Sequence, residues 1–313
     1  MKRNMCVVGA CGVCVLGLGA RAHADELLVT SFWSDRVGRY DAASGAFQGL
    51  LDTSAGLNGP LCTRVGPDGL LYVASEATNS VERFDIATGA HLGRFVSSGA
   101  GGLSGPTSLA WDASGDLVVS SFNTDSVLKF DGTTGDFAGT FVSAGSGGLN
   151  GPDNGAVFGS DGNFYVPSYY TNRILRYDGV TGAYLGAFIT SVVRPRVLVF
   201  KDDFVLVTSE AADSVRKYDA ATGLLIGNFV APGSGGLDTP IGMAFGPDGN
   251  LYVTSSTNDK VLRYDGTTGA FLDVFLESGA GGIDGPAFLT FVPAPSGGVV
   301  LLLGVGAAAR RRR

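Results

Sequence analysis

Histidine is almost missing from the 313 residues, with His23 and His91 the two present. Cysteine is nearly as scarce: Cys6, Cys11 and Cys14 lie at the very start, and Cys62 stands alone in the body. A Cys/His zinc site therefore has no ligand set, and a Ser–His or Cys–His nucleophile has little to build on. One body cysteine makes no internal disulfide. Charged residues are 16%, with three Met and two Trp, which argues against coiled coils and helical solenoids. No collagen period appears, and 45% hydrophobic content is too high for a disordered chain. What is abundant is glycine, 49 residues. That suits many short strands joined by tight turns.

Both ends read as targeting segments. Lys2 and Arg3, the apolar stretch from Met5 to Ala20, and Ala22-His23-Ala24 make a secretory signal over residues 1–24, cut before Asp25. The alternative, a retained anchor, suits a short glycine-rich stretch less well. At the other end Val292-Pro293-Ala294-Pro295-Ser296 precedes an apolar run, Gly297 to Ala309, and then Arg310 to Arg313. As a helix that run reaches about 20 Å, short of the roughly 30 Å hydrocarbon core. These residues resemble the PEP-CTERM tail of Gram-negative bacteria in its VPAP-type variant, with Ala294 where the usual motif has Glu. The resemblance implies residues 293–313 to be a sorting tail processed by an exosortase-like enzyme, with only transient membrane contact. It also implies an exported protein of the periplasm, envelope or extracellular space. A plain C-terminal anchor is the alternative. Between the ends, residues 25–294 carry 15 Lys and Arg against 29 Asp and Glu, a formal charge of −14. Such a surface repels nucleic acid and anionic membrane and favours cations.

The middle is one unit repeated. An aromatic-Asp…Gly turn occurs at Tyr40-Asp41, Phe84-Asp85, Phe130-Asp131, Tyr177-Asp178, Tyr218-Asp219 and Tyr264-Asp265, spaced 44, 46, 47, 41 and 46 residues apart. Pro60, Pro106, Pro152, Pro195, Pro240 and Pro286 keep the same beat. The copy over 241–286 reads as four strands: Ile241 to Phe245, Leu251 to Thr254, Val261 to Tyr264 and Ala270 to Leu276. Gly246-Pro247-Asp248-Gly249 and Asp265 to Gly269 are its turns. Four antiparallel strands per 40–50 residues are one propeller blade. Continuous apolar runs such as Leu117-Val118-Val119 suit strands buried on both faces.

The predicted fold is all-β, a six-bladed β-propeller over residues 25–292 with four-stranded antiparallel blades. The repeats run over about 25–60, 61–106, 107–152, 153–195, 196–240 and 241–286. Repeat one lacks a first strand, and Ala287 to Phe291 is a surplus one. The closing strand 287–291 is therefore predicted to complete the N-terminal blade, removing two open edges.

The recurring Gly-Pro, Pro-Asp-Gly, Leu-Tyr-Val and Val-x-Arg-Tyr-Asp pattern, clearest from Pro240 to Asp265, resembles the NHL-repeat and streptogramin-lyase-like propellers. That implies the fold and little about function. Streptogramin-lyase chemistry implies a histidine base and a metal. His91 begins an outermost strand on the opposite face from the long loops, so it reads as a packing residue. Cys62 reads as a small core residue, and the glycine runs precede no helix that would cradle phosphate.

Departures from the repeat point to the loops after the second and fourth strands, which share one face. After the repeated prolines most units carry small or apolar residues, but unit four has Asp153-Asn154 and unit five has Arg196, with Arg194 just before its proline. These four are candidates for a polar or anionic ligand. The preferred alternative is a bridge from Asp153 to Arg194 or Arg196. Trp33, Tyr169 and Tyr170 are candidates for a platform under a sugar or peptide, packing between loops being equally expected. Glu76 and Glu210 occupy matching places three blades apart, so they face one another across the mouth. With Asp153 and Asn154 assisting, they are a candidate calcium site of the gluconolactonase type. No cofactor is otherwise expected. The expected role is non-catalytic binding of a small molecule, glycan or protein, with a metal-assisted lyase or lactone hydrolase as the second reading.

Overall fold

The computed structural model describes residues 25–293, so the signal at 1–24 and the tail beyond Pro293 lie outside the described residues. Within them 24 strands form six antiparallel four-stranded sheets, five following chain order across the blade and the sixth led by the chain's last strand. The second blade is typical: Pro60–Val65 lies innermost, followed by Leu71–Ser75, Ser80–Phe84 and His91–Val96. The repeated proline begins the innermost strand, where no N–H is needed. The outcome is the expected six-bladed propeller. No helix among the described residues is long and apolar enough to cross a membrane.

The ring closes as the repeat arithmetic predicts. Pro286–Val292 runs antiparallel to Glu26–Ser31, pairing Leu27 with Phe291, Val29 with Leu289 and Thr30 with Phe288. The chain's two ends thus share one blade.

Local chemistry fixes the turns. Asp265 Oδ1 accepts the N–H groups of Thr267 and Thr268 at 3.1 and 2.7 Å and the Thr268 hydroxyl at 2.8 Å. Gly269 follows at φ +73°, where a Cβ would come 1.8 Å from the Phe229 carbonyl of the preceding blade. Aromatic contacts join the blades: Tyr72 meets Trp111 and Tyr252 meets Phe291 edge-on, at 4.9 and 5.0 Å between centroids. Tyr72 and Tyr252 are fully buried, and burying such a ring contributes roughly 1.5–3 kcal/mol.

A second repeated device joins neighbours by hydrogen bonds. Asp35, Asn79, Asp125, Asn172, Asp213 and Asp259 sit at φ of +45° to +58°, a conformation Asn and Asp tolerate. Each side-chain Oδ1 accepts the N–H just before the next blade's proline: Gly59, Gly105, Gly151, Arg194, Thr239 and Gly285, all at 2.7–2.8 Å. The last of these reaches the segment that feeds the closing strand.

Candidate functional site

A β-bulge in the innermost strand of every blade but the fourth makes the site. Pro60 pairs with Ser75, but the next pair is Thr63 with Val73, so Leu61 and Cys62 leave the ladder. The same shift frees Thr107, Arg196 and Ile241 in their blades. In three blades a threonine hydroxyl takes the freed amide: Thr30 accepts from Phe288, Thr208 from Val197 and Thr254 from Gly242, at 2.7–2.9 Å. The bulge turns the residue after the proline toward the channel mouth.

Two rings of residues therefore line one cavity of about 420 Å³. The deeper ring is the residue after each proline: Leu61, Thr107, Asp153, Arg196, Ile241 and Ala287. The upper ring follows the serine that ends each second strand: Phe32, Glu76, Phe122, Tyr169, Glu210 and Ser256. Trp33, Thr239 and Thr257 complete the wall.

Blade four departs most. Pro167 stands where other second strands carry Thr, Ser or Ala, and the regular innermost strand shrinks to Val157–Phe158. The segment before it pairs instead with blade five, Gly155 bridging to Val197 in parallel and donating its N–H to the Arg196 carbonyl at 3.0 Å. A Cβ on Gly155 would lie 2.4 Å from Val197 Cα, so this approach requires glycine.

That displacement sets Asp153, fully buried, against Arg196 Nη1 at 2.6 Å. Arg196 Nε lies 3.1 Å from Glu210 Oε2 without the alignment of a hydrogen bond. Arg194 Nη1 reaches Glu210 Oε1 from outside at 3.5 Å, and the Tyr169 hydroxyl donates to the same oxygen at 2.7 Å. The Tyr169 ring also sits 5.2 and 5.5 Å from the guanidinium carbons of Arg196 and Arg194. Burial pushes Asp153 toward its neutral form, and Arg196 opposes that. Arg196 itself is held more firmly charged by Asp153 and Glu210, against the cost of its own burial. Burial and then the Glu210 bond push the Tyr169 hydroxyl up to about 12.

Glu76 differs. Its carboxylate makes no hydrogen bond or ion pair among the described residues, and desolvation, then the Asp153 charge, raises its pKa above the ordinary carboxylate value, against a smaller opposing pull from Arg196. Glu76 and Glu210 do line one mouth from blades three apart. Among the described residues no three His, Cys, Asp or Glu side chains gather closely enough to hold a metal.

The remaining expected residues separate. Asn154 is fully buried beside Asp153, outside the cavity lining, and neither of its side-chain polar atoms has a protein partner. Arg194 is more than half exposed and lies outside the lining. Trp33, 71% exposed, packs edge-on against Phe32 in blade one. Tyr169 and Tyr170 pack with Phe122 across the ring, so the aromatics form two walls and not one platform. Tyr170, 61% exposed, is not part of the cavity lining. Away from the mouth, His91 Nε2 lies 3.0 Å from Glu82, a buried acid that also accepts from Arg94 and Ser80. His91 is thus a hydrogen-bond partner of Glu82 as well as a packing residue. Phe32, Phe122, Thr239 and Thr257 went unselected from sequence; the first two stand in the same repeat column as Glu76, which was the available signal.

No known protein family matches the sequence, and no curated protein matches it. Solved structures do. A protein of unknown function from Bacteroides caccae superposes with a TM-score of 0.67 at 12% identity, over 86% of this chain and 99% of that one. A chain of the nidogen/laminin complex superposes with a TM-score of 0.67 at 15% identity, over 87% and 100%. At these identities the likeness concerns the fold alone.

Proposed function

We propose that the chain is an exported, non-catalytic binding propeller, and that its ligand seat is the cavity at the channel mouth. One observation carries the reading: the Asp…Gly turns and the Asp or Asn latches recur in every blade, while the two columns facing that cavity differ in charge and aromaticity from blade to blade. Its volume is in the range of small-molecule sites. The ligand is a small molecule, or a glycan or protein side chain that enters the mouth. That one superposed chain comes from a nidogen/laminin complex fits a binding scaffold.

The finer features belong to the same proposal. The signal at 1–24 and the PEP-CTERM-like tail at 293–313 support export and exosortase-type processing. The Gly-Pro and Pro-Asp-Gly pattern supports an NHL-repeat or streptogramin-lyase-like origin. Intact-mass analysis of exported protein should find a chain starting at Asp25 and lacking Arg310 to Arg313. Full-length ends would contradict this.

Ser256→Trp tests the seat. Other blades carry Phe or Tyr at this ring position, so the fold tolerates a large ring there while the cavity fills. In a thermal-shift screen of amines, sugars, lactones and calcium, a ligand should raise the melting temperature of the wild type and not of the variant. A ligand that stabilises both equally binds elsewhere and sinks the reading.

A second reading, a metal-assisted lyase or lactone hydrolase, draws on Glu76, a carboxyl with a raised pKa in a cavity. Calcium-dependent lactone hydrolysis abolished by Glu76→Gln would favour it.

A further inference from the structure

We infer that the mouth cavity takes a compact organic cation, an ammonium group on an apolar body, with Glu76 as its counter-charge. This rests on the cavity being the ligand seat.

Charge comes first. The side chains lining the cavity include three carboxylates, Glu76, Asp153 and Glu210, and one guanidinium, Arg196. Arg196 is engaged by Asp153 and Glu210, and Arg194 by Glu210. Glu76 is left with a half-buried carboxylate and no protein cation in contact. A carboxylate that has lost water without gaining a partner is unfavourable, and an entering cation relieves it. An anion would meet the opposite situation, since the single lining guanidinium lies between two carboxylates and beside the Tyr169 ring.

The walls specify what kind of cation. Glu76 stands in blade two. Its neighbours in the upper ring are Phe32, with Trp33 beside it, in blade one and Phe122 in blade three. Aromatic faces attract ammonium groups and bury apolar carbon. A hard metal ion wants six to eight oxygens. Here aromatic rings flank the free carboxylate, and no metal-holding group of three occurs among the described residues. The acidic surface draws cations of any kind, so the cavity walls supply the selection.

The test is calorimetric titration of the full chain with 2-phenylethylammonium and choline, against phenylacetate, methyl glucoside and calcium chloride. The ammonium probes should bind, and Glu76→Gln should weaken them at least about tenfold without lowering the melting temperature of the free protein. Affinity should also fall with added salt and with acidification through the Glu76 titration, where Asp153, Glu210 and Arg196 are its charged neighbours. Phenylacetate binding as tightly, or indifference to Glu76→Gln, overturns the inference. So does binding of neither ammonium probe, or calcium binding that depends on Glu76. Sugar binding that Ser256→Trp abolishes, without ammonium binding, would leave the seat standing and remove the cation. Ammonium binding that Ser256→Trp leaves intact would remove both.

Discussion

Arg196 and Asp153 belong to different blades, yet Arg196 Nη1 sits 2.6 Å from Asp153 Oδ2, with the carboxylate fully buried. Asp153 has no water to fall back on when Arg196 is removed. Arg196→Met should therefore destabilise the fold by about 3–5 kcal/mol, while replacing both residues by apolar ones should cost far less. Denaturant melts of the two single variants and the double variant measure this. A double-variant loss equal to the sum of the two single losses would show that the pair does not act as a unit.

Gly155 is what lets that pair form. Gly155→Ala pushes a methyl toward Val197 Cα and should cost about 1–3 kcal/mol through backbone displacement. A melt of this variant should show a loss that Gly227→Ala, whose Cβ meets nothing within 4 Å, does not.

Asp259 holds the closing segment through the Gly285 N–H at 2.8 Å. Asp259→Ala should cost roughly 1.5–3 kcal/mol, the range for a bond to a charged acceptor. Hydrogen exchange at Leu27 to Thr30 should accelerate, because those residues pair with the strand it anchors. Unchanged protection there would mean that the latch does not guard closure.

The turn aspartates give an acid signature. Hydrogen bonds from Ser or Thr side chains and then backbone amides hold Asp41, Asp85, Asp219 and Asp265 below the usual carboxylate pKa, and backbone bonds lead for Asp131 and Asp178. A depressed folded-state pKa contributes stability above the unfolded value, about 4, which is lost as pH falls through the folded one. Glu76 has the opposite sign: its raised pKa favours the protonated fold, so its ionisation costs stability as pH rises through that range. Melting temperatures from pH 2 to 7 should fall at the acid end, more gently in Asp265→Ala. Glu76→Gln should gain on the wild type as pH rises above the ordinary carboxylate range.

Much of this was legible in the sequence because a repeat compares itself. Six copies aligned on the Asp…Gly turn gave the blade count, the strand order and the missing first strand, without a contact being known. The same alignment showed which columns varied, and so pointed to Asp153, Arg196, Glu76, Glu210 and Tyr169. Those positions depend on local periodicity and turn chemistry, which a chain carries in its own order.

What the chain order could not carry was direction and partnership. Whether Asp153 would meet a ligand or Arg196 depended on the bulges, on Pro167 interrupting the blade-four pattern, and on Gly155 letting two strands from different blades touch. Trp33 and Tyr169 ended on opposite walls because ring closure placed their blades three apart. Glu76 was left without a partner because both nearby guanidinium groups already had one. The sequence by itself determined the circle of six blades; only packing across the ring decided which charges cancel and which one is left facing the cavity.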